Sequence, residues 1–217
     1  MSVVMAEAQY GSFNVLRSLV RQPDPRERCE LCGAGLHPEH QHLFEPVARK
    51  LVCSCDGCAV LFHSHGETRY KRVPRRIRGL RDFQFSDAQW DDLMIPIGMA
   101  FFLNSSVEGR VLAFYPSPAG ATESMPSLTA WEEIVKQNPV LDGMEPDVEA
   151  LLANRLEHAR AAESGEYFLV PIDKCYELVG LIRRGWCGFS GGTEVWKQIG
   201  SFFDTLNARA SRERAHA

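Results

Sequence analysis

The chain has 217 residues, 45% hydrophobic and 24% charged, which suits one medium domain or a small module joined to a domain of roughly 100–150 residues. Its net charge of -4 gives no global reason to expect nucleic acid or an anionic membrane as partner, and no apolar run approaches the roughly 20 residues needed to span a bilayer. The N-terminal stretch lacks a basic n-region and a sustained apolar core, so the expected compartment is the cytoplasm, where stable disulfides are uncommon.

Residues 1–25 read as a helix or arm. Phe13, Leu16 and Val20 can share one face, Gly11 weakens it, and Pro23-Asp24-Pro25 ends it. Residues 26–66 form a ligand-rich module. Of seven cysteines, Cys29, Cys32, Cys53, Cys55 and Cys58 lie here, together with His37, His40 and His42. An odd cysteine count in a reducing compartment favours metal ligation over a disulfide framework.

Cys29-Glu30-Leu31-Cys32-Gly33 is a C-x2-C-G knuckle, in which the short spacer lets both sulfurs face one point and glycine permits the turn. Cys55-Asp56-Gly57-Cys58 is a second C-x2-C. Between them, residues 40–45 and 50–55 read as strands joined by a turn over 46–49, which returns the second knuckle to the first as in a zinc ribbon. Cys29, Cys32, Cys55 and Cys58 are therefore the expected ligands of a closed tetrahedral metal, zinc in the first instance. Iron in a rubredoxin-like site uses nearly the same ligand geometry and is the alternative cofactor.

Three residues offer substitutes. Cys53 and Cys55 share a face if one strand runs through both, so Cys53 could replace Cys55 or sit beside the ligands without binding. His40 and His42 likewise share a strand face, and one could replace a thiolate; the plainer reading is a solvated face. His63 and His65 repeat the H-x-H spacing, although the knuckles already supply four ligands.

Residues 67–82 form a basic connector holding Arg69, Lys71, Arg72, Arg75, Arg76, Arg78 and Arg81. Without interleaved aromatics it reads as a solvated or protein-facing patch rather than a nucleic-acid grip, and Arg75, Arg76 and Arg78 are its candidate partner-docking residues.

Residues 83–210 read as an α+β domain. Ser86 is the expected N-cap of a helix over 87–95. Residues 96–106 and 110–118 read as two strands joined by a hairpin, and residues 127–138 as a helix ended by Pro139. Residues 145–162 read as a helix with Pro146 in its first turn, 165–173 as a strand, and 174–186 and 193–210 as the last helices. The tail, 211–217, is expected to fray. The expected fold is thus α+β: a zinc-ribbon-like β module, then a domain with about three strands and four to five helices.

The domain holds three weaker chemical features. The loop Ser117–Ser124 is rich in small residues. Cys175 sits in a first helical turn, where a thiol can be acidified, with Asp173 as a plausible N-cap. Residues Ser190–Thr193 precede a helix whose free N–H groups can bind an anion. No Ser-His-Asp, Cys-His or paired-carboxylate set accompanies them, so no catalytic residue is assigned; an enzyme with a site in these loops is a further alternative.

Several strings together, "RCELCG", "HQHLF", "LVCSCDGCAVLF", "IPIGMAFF", "AFYPSPAGATES", "FLVPIDKCYELVGLIRRGW" and "SGGTEVW", resemble an uncharacterised bacterial family encoded beside high-affinity, oxygen-tolerant [NiFe] uptake hydrogenases, notably in actinobacteria. The resemblance runs from about Arg28 to about Leu206. It implies an accessory role in assembling, protecting or exchanging electrons with a hydrogenase, with a hydrogenase subunit or maturation factor as protein partner. That is an association and supplies no mechanism.

Overall fold

The computed structural model describes residues 27–63, 69–124, 128–156, 165–188 and 190–215. The expected N-terminal helix or arm and His65 lie outside them. Among the described residues there are ten strands in two sheets and five α-helices. No helix among them is long and apolar enough to cross a membrane.

The first sheet is small and antiparallel. Strand β1 (Gln41–Glu45) lies between β2 (Lys50–Ser54) and β3 (Lys71–Arg72). The β1–β2 hairpin turns over 46–49 and pairs His42 with Cys53 and Phe44 with Leu51. Helix α1 (Asp56–His63) follows β2 after one residue.

The second sheet has seven strands in the order β10-β4-β9-β8-β5-β6-β7. These are β4 (Arg78–Arg81), β5 (Met99–Ser105), β6 (Arg110–Ser117), β7 (Gly120–Ser124), β8 (Glu149–Asn154), β9 (Glu166–Pro171) and β10 (Ser211–Arg214). All neighbours are antiparallel except β10 and β4, which run parallel. Helices α4 (Ile172–Gly185) and α5 (Thr193–Arg209) cover one face. The other is covered by α2 (Asp87–Asp92), α3 (Leu128–Gln137) and a 3-10 turn, Pro139–Gly143. Alternate residues of each central strand feed opposite layers: Phe101 stacks on Phe114 towards α4 and α5, whereas Phe102 stacks on Trp131 of α3.

The expected α+β class holds, but about three strands is too few, because four segments read differently. Glu149–Asn154, expected in a helix, is β8, paired with β5 and β9 and buried at every position. Its Glu, Ala and Leu residues are strong helix formers, and burial on both faces removes the alternation that marks a half-exposed strand. Gly120–Ser124, expected as loop, returns along β6 as β7. Arg78–Arg81, expected as connector, is β4. Ser211–Arg214, expected to fray, is β10: Ser211 N donates to Ile77 O and Ala215 N to Arg81 O, and the Ala215 side chain is buried.

Other local signals are realised. Ser86 caps α2 in a full capping box with Gln89, and α3 stops just ahead of Pro139. The small sheet packs its Phe44 face on the α4 side of the large one. Phe44, Val73 and Ile77 join the core beneath α4 and α5, and Tyr176 Oη donates to Arg49 O at 3.3 Å. Lys71 pairs with the buried Asp147 at 2.5 Å.

Candidate metal centre

The first knuckle is a tight turn held by its own backbone. Cys29 N donates to Ala34 O and Gly33 N to Cys29 O, both at 2.8 Å, and Gly33 takes the positive φ of 76° that glycine accommodates. The second knuckle is the start of α1. Cys55 precedes the helix, and its sulfur accepts a hydrogen bond from Cys58 N at 3.5 Å. The helix start therefore presents N–H groups to one ligand and carries the other in its first turn. Glu30 ties the first knuckle to β2, the strand that leads into the second: its N–H donates to Cys53 O, its carboxylate accepts from Cys53 N, and Lys50 pairs with it at 2.8 Å.

These turns bring one sulfur each from Cys29, Cys32, Cys55 and Cys58 to within 4.8 Å of one another, with Cys32 and Cys55 3.7 Å apart. Cys29 and Cys58 are buried, Cys55 is half-buried and Cys32 is exposed. The thiols have been driven apart in acidity. Burial pushes Cys29 up, but N–H donors from Cys55, Cys32 and Leu31 outweigh it and bring it down to about 6. Burial, reinforced by the neighbouring sulfurs, pushes Cys58 up to about 12. Four thiolates cannot share so small a space without a cation. A metal ion would supply that charge, and this set could hold one.

None of the three substitutes joins the four-sulfur group, although Cys53 packs against it. Cys53 lies in β2 and Cys55 beyond its end, so one strand does not run through both. Cys53 instead groups with His40 and His42. Asp173, expected as a helix cap, makes no capping bond; its Oδ2 meets His42 Nδ1 at 2.8 Å across 131 positions of sequence. No local pattern announces a contact of that range.

The basic residues are largely committed within the chain. Glu149 is fully buried, with Arg76 donating to both its carboxylate oxygens at 2.6 and 2.9 Å and Arg78 donating at 3.3 Å. Arg75 donates to Glu39 O. Arg69 pairs with Glu45.

The three weaker features have structural roles. Cys175 lies on the buried face of α4, as a structural cysteine does, and burial pushes its thiol well above the ordinary value, so its place in the first turn does not acidify it. Ser117 Oγ donates to Gly120 O and accepts from Ala119 N, closing the β6–β7 turn. Ser190 O accepts the indole N–H of Trp196.

No curated protein and no solved structure matches the chain. The Family of unknown function (DUF5947) matches residues 28–210, which takes in both knuckles and nearly all of the large sheet, and the chain belongs to that family.

Proposed function

We propose that this is a metal-binding accessory protein in which Cys29, Cys32, Cys55 and Cys58 hold a structural zinc ion and thereby fix a small module for docking onto another protein. The observation that carries the reading is the convergence of four sulfurs from two separate knuckles. Four thiolates complete a tetrahedral zinc and leave no position for substrate. The module needs such a staple, because its own core is little more than Leu43, Val52 and Ala59.

Docking is supported by α1, which exposes Val60, Leu61 and Phe62 among the described residues directly after Cys58. With Arg76 and Arg78 paired to Glu149, Arg75 is the arginine of the original three best placed to reach a partner. Resemblance to the hydrogenase-associated family supplies the partner class, a hydrogenase subunit or maturation factor.

The test is elemental analysis of protein purified from its host without added metal. Zinc lost from a Cys29→Ser/Cys58→Ser double variant supports the reading. Visible absorbance that bleaches on reduction, with iron in place of zinc, replaces it with a rubredoxin-like electron carrier. Pull-downs at low and high salt test docking: recovery of hydrogenase components should fall in Arg75→Glu and in a Leu61→Ser/Phe62→Ser variant.

A further inference from the structure

β1 and β2 carry a second cluster, on the face turned towards α4. His42 and Cys53 are cross-strand partners, so their side chains leave the hairpin on one side, and His40 stands two residues before His42. One ring nitrogen from each histidine and Cys53 Sγ lie within 4.8 Å of one another. The imidazoles meet edge to face, with centroids 4.7 Å apart.

The hydrogen bonds decide which nitrogens are free. His40 Nδ1 lies 2.9 Å from His37 O, with Glu27 Oε2 3.6 Å away. A carbonyl only accepts, so His40 Nδ1 bears the hydrogen, and in the neutral ring Nε2 presents a lone pair. That Nε2 is buried without a hydrogen-bond partner among the described residues, on a side chain only 6% exposed. A buried acceptor left unmet is costly, and orphans of this kind mark missing occupants. His42 repeats the arrangement: its Nδ1 faces Asp173 Oδ2 at 2.8 Å, which leaves Nε2 as its free nitrogen. An imidazole that gives its other N–H to a carboxylate or a carbonyl is oriented as metal-bound histidines are.

We propose that His40 Nε2, His42 Nε2 and Cys53 Sγ form a second transition-metal site, separate from the four-cysteine cluster, that takes zinc-like divalent ions and keeps a coordination position open. Imidazole and thiolate select zinc, cobalt or nickel over magnesium and calcium. Three protein ligands is the count of an open zinc site, whereas four thiolates is that of a closed one. A cavity of about 180 Å³ borders both histidines and Asp173, and Arg75, Lys174 and Arg209 also line it. One thiolate leaves a divalent ion with net positive charge, so the fourth ligand is water or a small anion, reached from that cavity. The site joins β1 and β2 to α4, and it lies one turn of chain from the four-cysteine cluster, with Ser54 between Cys53 and Cys55.

The test is titration of the metal-free, fully reduced chain with cobalt(II) alone, followed by visible and near-ultraviolet absorption. Two equivalents should bind, one with the intense charge-transfer bands of four thiolates and one with the weaker band of a single thiolate. Cys53→Ser, His40→Ala and His42→Ala should each abolish the second equivalent and keep the first, so the four-thiolate spectrum reports folding within each variant. Asp173→Asn, which alters no ligand, should weaken the second equivalent about 10–100-fold and leave the first unchanged. Added azide should shift the bands of the second ion only. Uptake of a single equivalent, or a second equivalent that survives Cys53→Ser and His42→Ala, overturns the site. If those two variants fail to fold, unaltered affinity for the second ion in Asp173→Asn overturns it. Bands that ignore azide overturn the open position.

Discussion

Glu149 shows what one residue can govern in this fold. Its carboxylate is wholly buried at the start of β8, where an unpaired charge would be prohibitive. Burial pushes its carboxyl up, but the Arg76 fork, the Glu145 N–H and the charges of Arg78 and Arg76 outweigh it and hold it below the usual range. A depressed folded value means that its stabilisation is complete above the unfolded carboxylate value and is lost as pH falls through the folded one. Stability should therefore decline on acidification below about pH 4, and Glu149→Gln should flatten that limb of the urea-unfolding profile. Arg78 is the better-buried partner, at 13% side-chain exposure against 52% for Arg76. Arg78→Ala should cost about 3–5 kcal/mol at neutral pH, since it leaves a buried charge underpaired, while the solvent-screened Arg76 should matter less. Equal losses from the two substitutions would show that exposure does not rank them. The pairing also shows why a run of basic residues in the sequence need not be a run of solvated charges: Arg76 and Lys71 meet Glu149 and Asp147, which lie some seventy positions away.

At the scale of elements, β10 has the least sequence signal and a clear structural task. Ser-Arg-Glu-Arg carries no apolar pattern, because the strand is held by backbone bonds to β4 and by the burial of Ala215 just beyond it. Removing residues 211–217 deletes the bonds from Ser211 N to Ile77 O, from Ala215 N to Arg81 O and from Val140 N to Ala215 O. At about 0.5–1.5 kcal/mol each, this should cost about 1.5–4.5 kcal/mol, seen as a lower denaturation midpoint. It also bares one edge of β4, so the truncated chain should show faster amide exchange there and greater self-association in sedimentation. Unchanged exchange at Arg78–Arg81 would mean that β10 does not protect the edge. Elements marked by caps, turns and helical periodicity were legible: the Ser86 cap, the break at Pro139, the β5–β6 hairpin, and α4 and α5. The two knuckles were legible for a similar reason, since C-x2-C is a local spacing whose geometry is set within a few bonds. β7, β8 and β10 were not, because pairing with distant strands decides them. The cluster of His40, His42 and Cys53 was half legible: the residues stood out, but their grouping depends on cross-strand register and on Asp173.

For the molecule as a whole, the question is how tightly the candidate metal centre is coupled to the large sheet. The sequence suggests a module that loosens on metal removal while the domain stays folded. The contacts refine this. Phe44 lies within the core that also holds Phe114, Leu178 and Phe203, and Arg49 reaches from the β1–β2 turn to Glu123 on β7 and over the Phe114 ring. The small sheet is thus a cover for the α4 side of the larger one, and its release would expose apolar surface there. Stripping metal with a strong chelator should raise amide exchange across β1, β2 and α1 by orders of magnitude. It should leave β5, β8 and β9 protected, because these central strands are buried on both faces by other elements. Exchange should rise moderately at the start of α4, where Asp173 and Tyr176 lose His42, Phe44 and the Arg49 carbonyl. Phe44→Ala should cost about 3–5 kcal/mol with metal bound, as large-to-small changes in a packed core do. After chelation the same substitution should cost much less, because the ring has already left its site, and the two perturbations should be less than additive. Full additivity would show that Phe44 stays seated without metal, so that the small sheet is held by packing alone and the ion serves only its own knuckles.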